Sequence, residues 1–294
     1  MDAVKMIPSQ DPMSMLLDVS GVKRKFLDLA YADQSPKQAL DIYLPDEGDG
    51  PFPAILFIHG GAFVGGDKRD SQVMHVIDGI RRGYAVVSIE QRLLPEGVFP
   101  LAVFDIKAAI RFLKLHAAEY KLDPCRFAAA GDSAGAYHAL FAAATQDIPA
   151  FDGPDTPGAD CRLKAAIGLF GVYDLAMQTQ FSYDAGPFPG SDQVFDFAGS
   201  FAGGDLRGSL ALGYLTSVAT YVTKDMPAVL IQTGDADQVV PYKASLALAE
   251  KIQAVCGPDR VRLDVYPGAM HGDPVFLSPE NQERIFAFLD EKVR

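Results

Sequence analysis

The chain has no tryptophan and only three cysteines, Cys125, Cys161 and Cys256, in 294 residues. An odd number of thiols with no C-x-x-C spacing argues against a disulfide framework and against a zinc or redox pair, so all three read as reduced. Basic residues are also short: 26 Lys and Arg face 38 Asp and Glu, a net charge of -12. The positive residues form no stripe, and nucleic acid and anionic membrane surfaces are therefore not expected partners. No apolar run approaches the roughly 18 residues needed to span a bilayer. The first twenty residues carry one lysine, Lys5, and no continuous apolar stretch of the kind a secretory leader needs. The expectation is a cytoplasmic protein.

What the chain does have is a large apolar fraction, 49% of residues, enough to bury a sizeable core. The pattern alternates. Lys25 to Tyr31 and Ala39 to Leu44 read as strands, the second stopped by Pro45. Ala54 to Ile58 is a continuous apolar run too short for a helix, hence a buried strand. Ser71 to Arg82 has helical spacing closed by Gly83, Tyr84 to Ile89 is another buried strand, and Pro100 to Lys121 repeats apolar residues at three and four. Strands follow at Phe127 to Ala130, Leu163 to Phe170, Ala228 to Ile231 and Val261 to Val265. Helices are expected after Ala134, from Pro241 to Val255, and from Ser278-Pro279-Glu280 onward. This predicts one α/β domain over residues 1–294, with a mostly parallel sheet of about eight strands and helices on both faces. Between residues 172 and 224 the alternation lapses into a segment rich in glycine and aromatics (Phe181, Tyr183, Phe188, Phe195, Phe197, Phe201). An excursion of that length inside a compact domain is expected to be a cap or lid.

The chain is organised around Gly131-Asp132-Ser133-Ala134-Gly135, where a buried strand stops and an alanine-rich helix begins. A sharp strand-to-helix bend needs small residues on both sides, and it would leave the Ser133 hydroxyl exposed at a helix N-terminus. A serine is a weak nucleophile at neutral pH and needs a base with its own orienting partner. Of five histidines, His75 and His116 fall on predicted helices and read as surface or boundary residues, and His138 lies one turn along the helix after Ser133, pointing away from the bend. His59 precedes a glycine pair. His271 follows the last strand in a flexible loop that could reach over the sheet edge, and is the candidate base.

In doubly wound hydrolases the acid lies between serine and histidine in sequence. The stretch Gly234-Asp235-Ala236-Asp237 supplies two candidates. Asp237, deeper in the loop and followed by Val239-Val240-Pro241, is favoured; Asp235 is the alternative, or else a turn-stabilising side chain. Backbone N–H groups of Gly60, Gly61 and Ala62, after the strand at 54–58, together with that of Ala134, are candidate oxyanion donors. Asp132 is expected to tether neighbouring loops, and Phe63 to line a substrate pocket. Neither histidines nor cysteines have ligand spacing for a catalytic zinc, and no metal or cofactor is expected.

The motifs HGGAF at 59–63, GDSAG at 131–135, GDADQVVP at 234–241 and GAMHGD at 268–273 resemble the α/β-hydrolase superfamily, in its esterase and lipase branch with an HGG oxyanion motif. The resemblance spans about residues 25 to 294. LDIYLP and RLLPEGVFPLAVFDIKAAIRFL are also similar to small bacterial carboxylesterases, including acetyl and feruloyl esterases that act on decorated carbohydrates. The chain departs from that pattern at Ala62, where relatives of the hormone-sensitive-lipase type often carry a third glycine, and at Glu90-Gln91-Arg92, where Asp-Tyr-Arg is common; Arg92 reads as a structural ion-pair residue. The resemblance implies a serine carboxylesterase working on a small-molecule ester substrate, and the 172–224 segment, broken by seven glycines and so without a contiguous apolar lid helix, points to soluble short-chain esters. Two other readings stay open: an exopeptidase or amidase, for which Asp192 and Asp196 could bind a free amine, and a catalytically silent binding module. The oligomeric state is not fixed by any of these features.

Overall fold

Residues 5–8, 15–187 and 191–294 are described by the computed structural model. In chain order the strands are β1 (Lys5–Pro8), β2 (Met15–Asp18), β3 (Lys25–Ala30), β4 (Ala39–Tyr43), β5 (Phe52–Ile58), β6 (Ala85–Ile89), β7 (Leu122–Asp132), β8 (Ala165–Leu169), β9 (Ala228–Gly234) and β10 (Val261–Tyr266). The first two pair with each other, an addition to the pattern read from the sequence, where four-residue strands are too short to show a period. The other eight form one sheet in the order β3-β4-β6-β5-β7-β8-β9-β10. Strands β3, β4 and β6 pair antiparallel, and from β6 to β10 every pairing is parallel.

Continuous apolar runs become central strands because both faces of the sheet are covered. On β5, Ala54, Leu56 and Ile58 belong to one buried cluster with helices α1 (Leu101–Leu115) and α2 (Ala134–Ala144). Ile55 and Phe57 face the other way, into a cluster closed by the last helix, Pro279–Val293. All eleven residues of α2 are buried, which accounts for its lack of a polar face.

The stretch expected as one helix over 71–82 is instead two 3₁₀ turns, Ser71–His75 and Ile77–Arg82, broken at Val76. The buried positions are Val73, His75, Val76, Ile77 and Gly79, and Gly79 leaves only enough room for Ile55 and Val86 against it. Gly83 then closes the second turn at φ 81°.

Where the sequence lost its period, the chain forms α3 (Leu175–Ala185), α4 (Phe197–Ala202) and α5 (Leu210–Thr216). Phe188 and Gly190 of that segment lie outside the described residues. Asp174, Asp196 and Ser209 cap the three helices, accepting from Met177, Gly199 and Leu212. The remaining long helix, α6 (Tyr242–Cys256), starts one residue after Pro241, which fills the N-cap position rather than the first turn.

Candidate active site

Ser133 sits between β7 and α2 at φ 49° and ψ −119°, a backbone conformation that costs a non-glycine residue roughly 1–3 kcal/mol. Its N–H is held by Leu169 O at 2.9 Å, at the end of β8. The flanking glycines are sterically required. A Cβ at Gly131 would stand 2.4 Å from Gly135 O, and one at Gly135 would stand 2.1 Å from Ile58 O. The helix can therefore start against the backbone of β5 only if both side chains are missing.

His271 reaches this bend from the loop after β10. Its Nε2 is 3.0 Å from Ser133 Oγ, and its Nδ1 is 2.8 Å from Asp237 Oδ2. The carboxylate can only accept, so Nδ1 carries the proton and Nε2 is left as the acceptor for the serine hydroxyl. Asp237 Oδ1 accepts from Val239 N at 2.8 Å and Val240 N at 2.9 Å, so both carboxylate oxygens are engaged. Its side chain is 1% exposed, whereas that of His271 is 20% exposed. Asp235 is exposed and turned elsewhere: it accepts from Gly268 N at 2.6 Å and so fastens the loop that carries His271.

The loop after β5 turns through three consecutive left-handed residues, Gly61 (φ 109°), Ala62 (φ 52°) and Phe63 (φ 62°). A Cβ at Gly61 would collide with Gly65 O at 2.1 Å, and one at Gly66 with His59 Nδ1 at 2.2 Å. Gly60, expected among the oxyanion donors, is already committed. Its N–H goes to Gln72 Oε1 at 2.5 Å and Asp132 Oδ1 at 2.9 Å. The N–H groups of Gly61, Ala62 and Ala134 take no protein acceptor among the described residues. Phe63 is 3% exposed and stacks on Phe201 of α4, with centroids 3.9 Å apart; its ring joins the loop to the 172–224 segment.

Beneath the loop lies a buried polar layer. Burial, and then the Asp70 carboxylate, push Asp132 well above the usual carboxylate range, and burial raises Asp70 as well. His75, expected as a surface or boundary residue, is buried, its ring against Phe57 and Phe170, and burial pushes it down to about 4. His138 lies among Phe63, Tyr137 and Phe201, and burial lowers it to about 3. His59 is fully buried, and its Nδ1 donates to Gly60 O at 2.8 Å. Only His116 is exposed, beside Glu119.

Arg92 grips Asp105 through Nε and Nη2, and its backbone N–H adds a bond at 2.9 Å, all buried. Asp196 is occupied as the cap of α4 and as acceptor of Thr179 Oγ1 at 2.9 Å, and Asp192 is exposed. Among the described residues no helix is long and apolar enough to cross a membrane, and no three His, Cys, Asp or Glu side chains could together hold a metal ion.

Sequence reasoning passed over Phe170 and Gln72. Phe170 packs edge-on to the His271 ring at 4.9 Å, yet it ends an apolar run and reads as ordinary strand core. Gln72 lies in a segment whose helical spacing drew attention only to its apolar positions.

A BD-FAE family model matches residues 40–252. A probable carboxylic ester hydrolase of Mycobacterium tuberculosis (strain ATCC 25618 / H37Rv), LipM, is 28% identical over 231 residues, 78% of this chain and 52% of that protein. A probable isoprenylcysteine alpha-carbonyl methylesterase of Arabidopsis thaliana is 29% identical over 260 residues, covering 85% of this chain and 52% of the relative. The chain thus spans about half the length of the curated relatives it matches. Among solved structures, a truncated carbohydrate esterase from gut microbiota superposes with a TM-score of 0.81 at 25% identity, covering 92% of this chain and 97% of that one.

Proposed function

The chain belongs to the BD-FAE family, and from that premise we propose that it is a serine carboxylesterase acting through an acyl-enzyme on soluble short-chain esters. The observation that carries this reading is the relay from Ser133 Oγ to His271 Nε2 at 3.0 Å and from His271 Nδ1 to Asp237 Oδ2 at 2.8 Å. Ser133 Oγ attacks the ester carbonyl while His271 Nε2 takes its proton. The resulting imidazolium is stabilised by Asp237, and the N–H groups of Gly61, Ala62 and Ala134 are the donors offered to the oxyanion. Collapse of the tetrahedral intermediate breaks the carbon–oxygen bond to the alcohol, which leaves with the proton from His271. Water then attacks the acyl-serine, again losing its proton to His271, and Ser133 is regenerated with release of the acid.

The 172–224 segment is the cap of this single domain. Val172 N donates to Ser133 O at 3.3 Å, so the segment begins at the nucleophile itself. A carbohydrate carrying acetyl or feruloyl groups is the favoured alcohol component, supported by the likeness to a gut carbohydrate esterase. Three unpaired thiols support a reducing, cytoplasmic setting, and the net charge of -12 supports a small neutral ester rather than nucleic acid or an anionic membrane as partner.

The test is a series of p-nitrophenyl esters from acetate to palmitate, run beside acetylated xylo-oligosaccharides, methyl ferulate, an isoprenylcysteine methyl ester and aminoacyl anilides. kcat/KM should peak at about two to four acyl carbons and fall steeply by about ten, as expected for a small pocket. A maximum at about twelve carbons or more, or a rate jump at the substrate's micellar threshold, would return the protein to the lipases.

A further inference from the structure

Helix α3 is the hub of the 172–224 segment. Its Thr179 hydroxyl donates to Asp196, the cap of α4, and Gly213 of α5 comes so near that an added Cβ would stand 3.3 Å from that of Ala176. On its buried side α3 carries Gln178, 1% exposed. The Gln178 amide donates from Nε2 to Val239 O at 3.0 Å and to Ser182 Oγ at 3.3 Å. Val239 is in turn one of the two residues whose N–H groups hold Asp237 Oδ1. A single residue therefore gives its carbonyl to the cap helix and its N–H to the acid.

We propose that Gln178 is a positioning residue: by fixing Val239 it fixes the Asp237 carboxylate, and so links the seating of α3 to the geometry of the triad. The inference rests on the serine esterase reading above. Packing alone does not favour glutamine here. Its Oε1 is buried with no partner among the described residues, an arrangement an apolar side chain of the same length would avoid. What the position uses is the donor. Val239 is 48% exposed, so the backbone of this loop depends on hydrogen bonds to stay in place.

The experiment compares Gln178→Met, Gln178→Glu and Ser182→Ala with wild type by steady-state kinetics on a soluble p-nitrophenyl ester and by thermal melting. Gln178→Met keeps the length and removes the donor. It should lower kcat about ten-fold with KM within about two-fold, because orientation of the acid matters to the reaction and not to ground-state binding. Its Tm should stay within about 2 °C of wild type, since the unpartnered oxygen is lost together with the bonds. Gln178→Glu, which sets a carboxylate against the Val239 carbonyl, should lower kcat further, by about a hundred-fold. Ser182→Ala leaves the Val239 bond intact and should keep wild-type kcat. Wild-type kcat in Gln178→Met or Gln178→Glu, or an equal loss in Ser182→Ala, would overturn the inference, as would an activity loss that tracks the fraction of unfolded protein. If Gln178→Met does not fold, the Glu variant decides alone. A wild type without esterase activity overturns the reading of the site and this inference together, whereas an active wild type matched by either Gln178 variant overturns this inference alone.

Discussion

Asp132 accepts the Gly60 N–H at 2.9 Å, so the residue beside the nucleophile holds the first residue of the loop that carries the candidate oxyanion donors. The two halves of the site, the bend at Ser133 and the turn after β5, are thus joined by a buried acid rather than by packing alone. Gln72 shares the same N–H and donates onward to Asp70, which extends the link into the 3₁₀ turn that Asp70 caps.

This buried acid has a cost that depends on pH. Asp132 is held well above the ordinary carboxyl value of 3.8, first by burial and then by Asp70. A carboxyl harder to ionise when folded contributes most to stability below that unfolded value, and the contribution is lost as pH rises toward the folded one. Asp132→Asn stays neutral and can still accept from Gly60. Thermal melts of both proteins from pH 4 to 8 should show the variant gaining on wild type as pH rises; a Tm difference independent of pH would contradict the assignment.

The buried histidines act in the opposite direction. His138 is lowered to about 3 and His75 to about 4, both by burial, from 6.5. Each takes up a proton on unfolding below 6.5, so the stability they confer is complete above that value and is lost as pH falls, at about 1.4 kcal/mol per pH unit for each group. His138→Phe, placed in the aromatic cluster with Phe63 and Phe201, should make the fall in urea-unfolding free energy between pH 6 and 4.5 shallower by about that amount. Parallel curves for variant and wild type would show that His138 does not titrate in this way.

The two aspartates after β9 separate by partner. Asp237→Asn removes the acceptor that fixes the His271 tautomer and should lower kcat by about 10³ to 10⁴. Asp235→Asn keeps an acceptor for Gly268 N–H and should change kcat by less than about three-fold. Equal losses in steady-state kinetics would move the acid to Asp235 or to neither.

Much of this was legible in the sequence for identifiable reasons. Apolar runs bounded by proline and glycine gave the central strands, because a doubly covered sheet requires continuous hydrophobicity. Gly131 and Gly135 marked the bend, because no side chain fits at either position. The commitment of Gly60 was not legible: its acceptors, Gln72 and Asp132, lie 12 and 72 residues away, and no local pattern announces a hydrogen bond across elements. His75 misled because one continuous helix suggested a surface or boundary position, while the chain breaks into two 3₁₀ turns at Val76 and the ring is buried against Phe57 and Phe170. Gln178 was silent for a related reason: a polar residue in an aromatic, glycine-rich segment reads as surface until its donor is seen on Val239.

The central claim is that Ser133 is the nucleophile, and stoichiometric labelling with an alkyl phosphonate ester, read by intact and peptide mass spectrometry, tests it most directly. Wild-type protein should gain one adduct, on Ser133, with complete loss of esterase activity, and Ser133→Ala should gain none and be inactive. An adduct on another residue, or a Ser133→Ala protein that is still labelled or still turns over ester, would contradict the account.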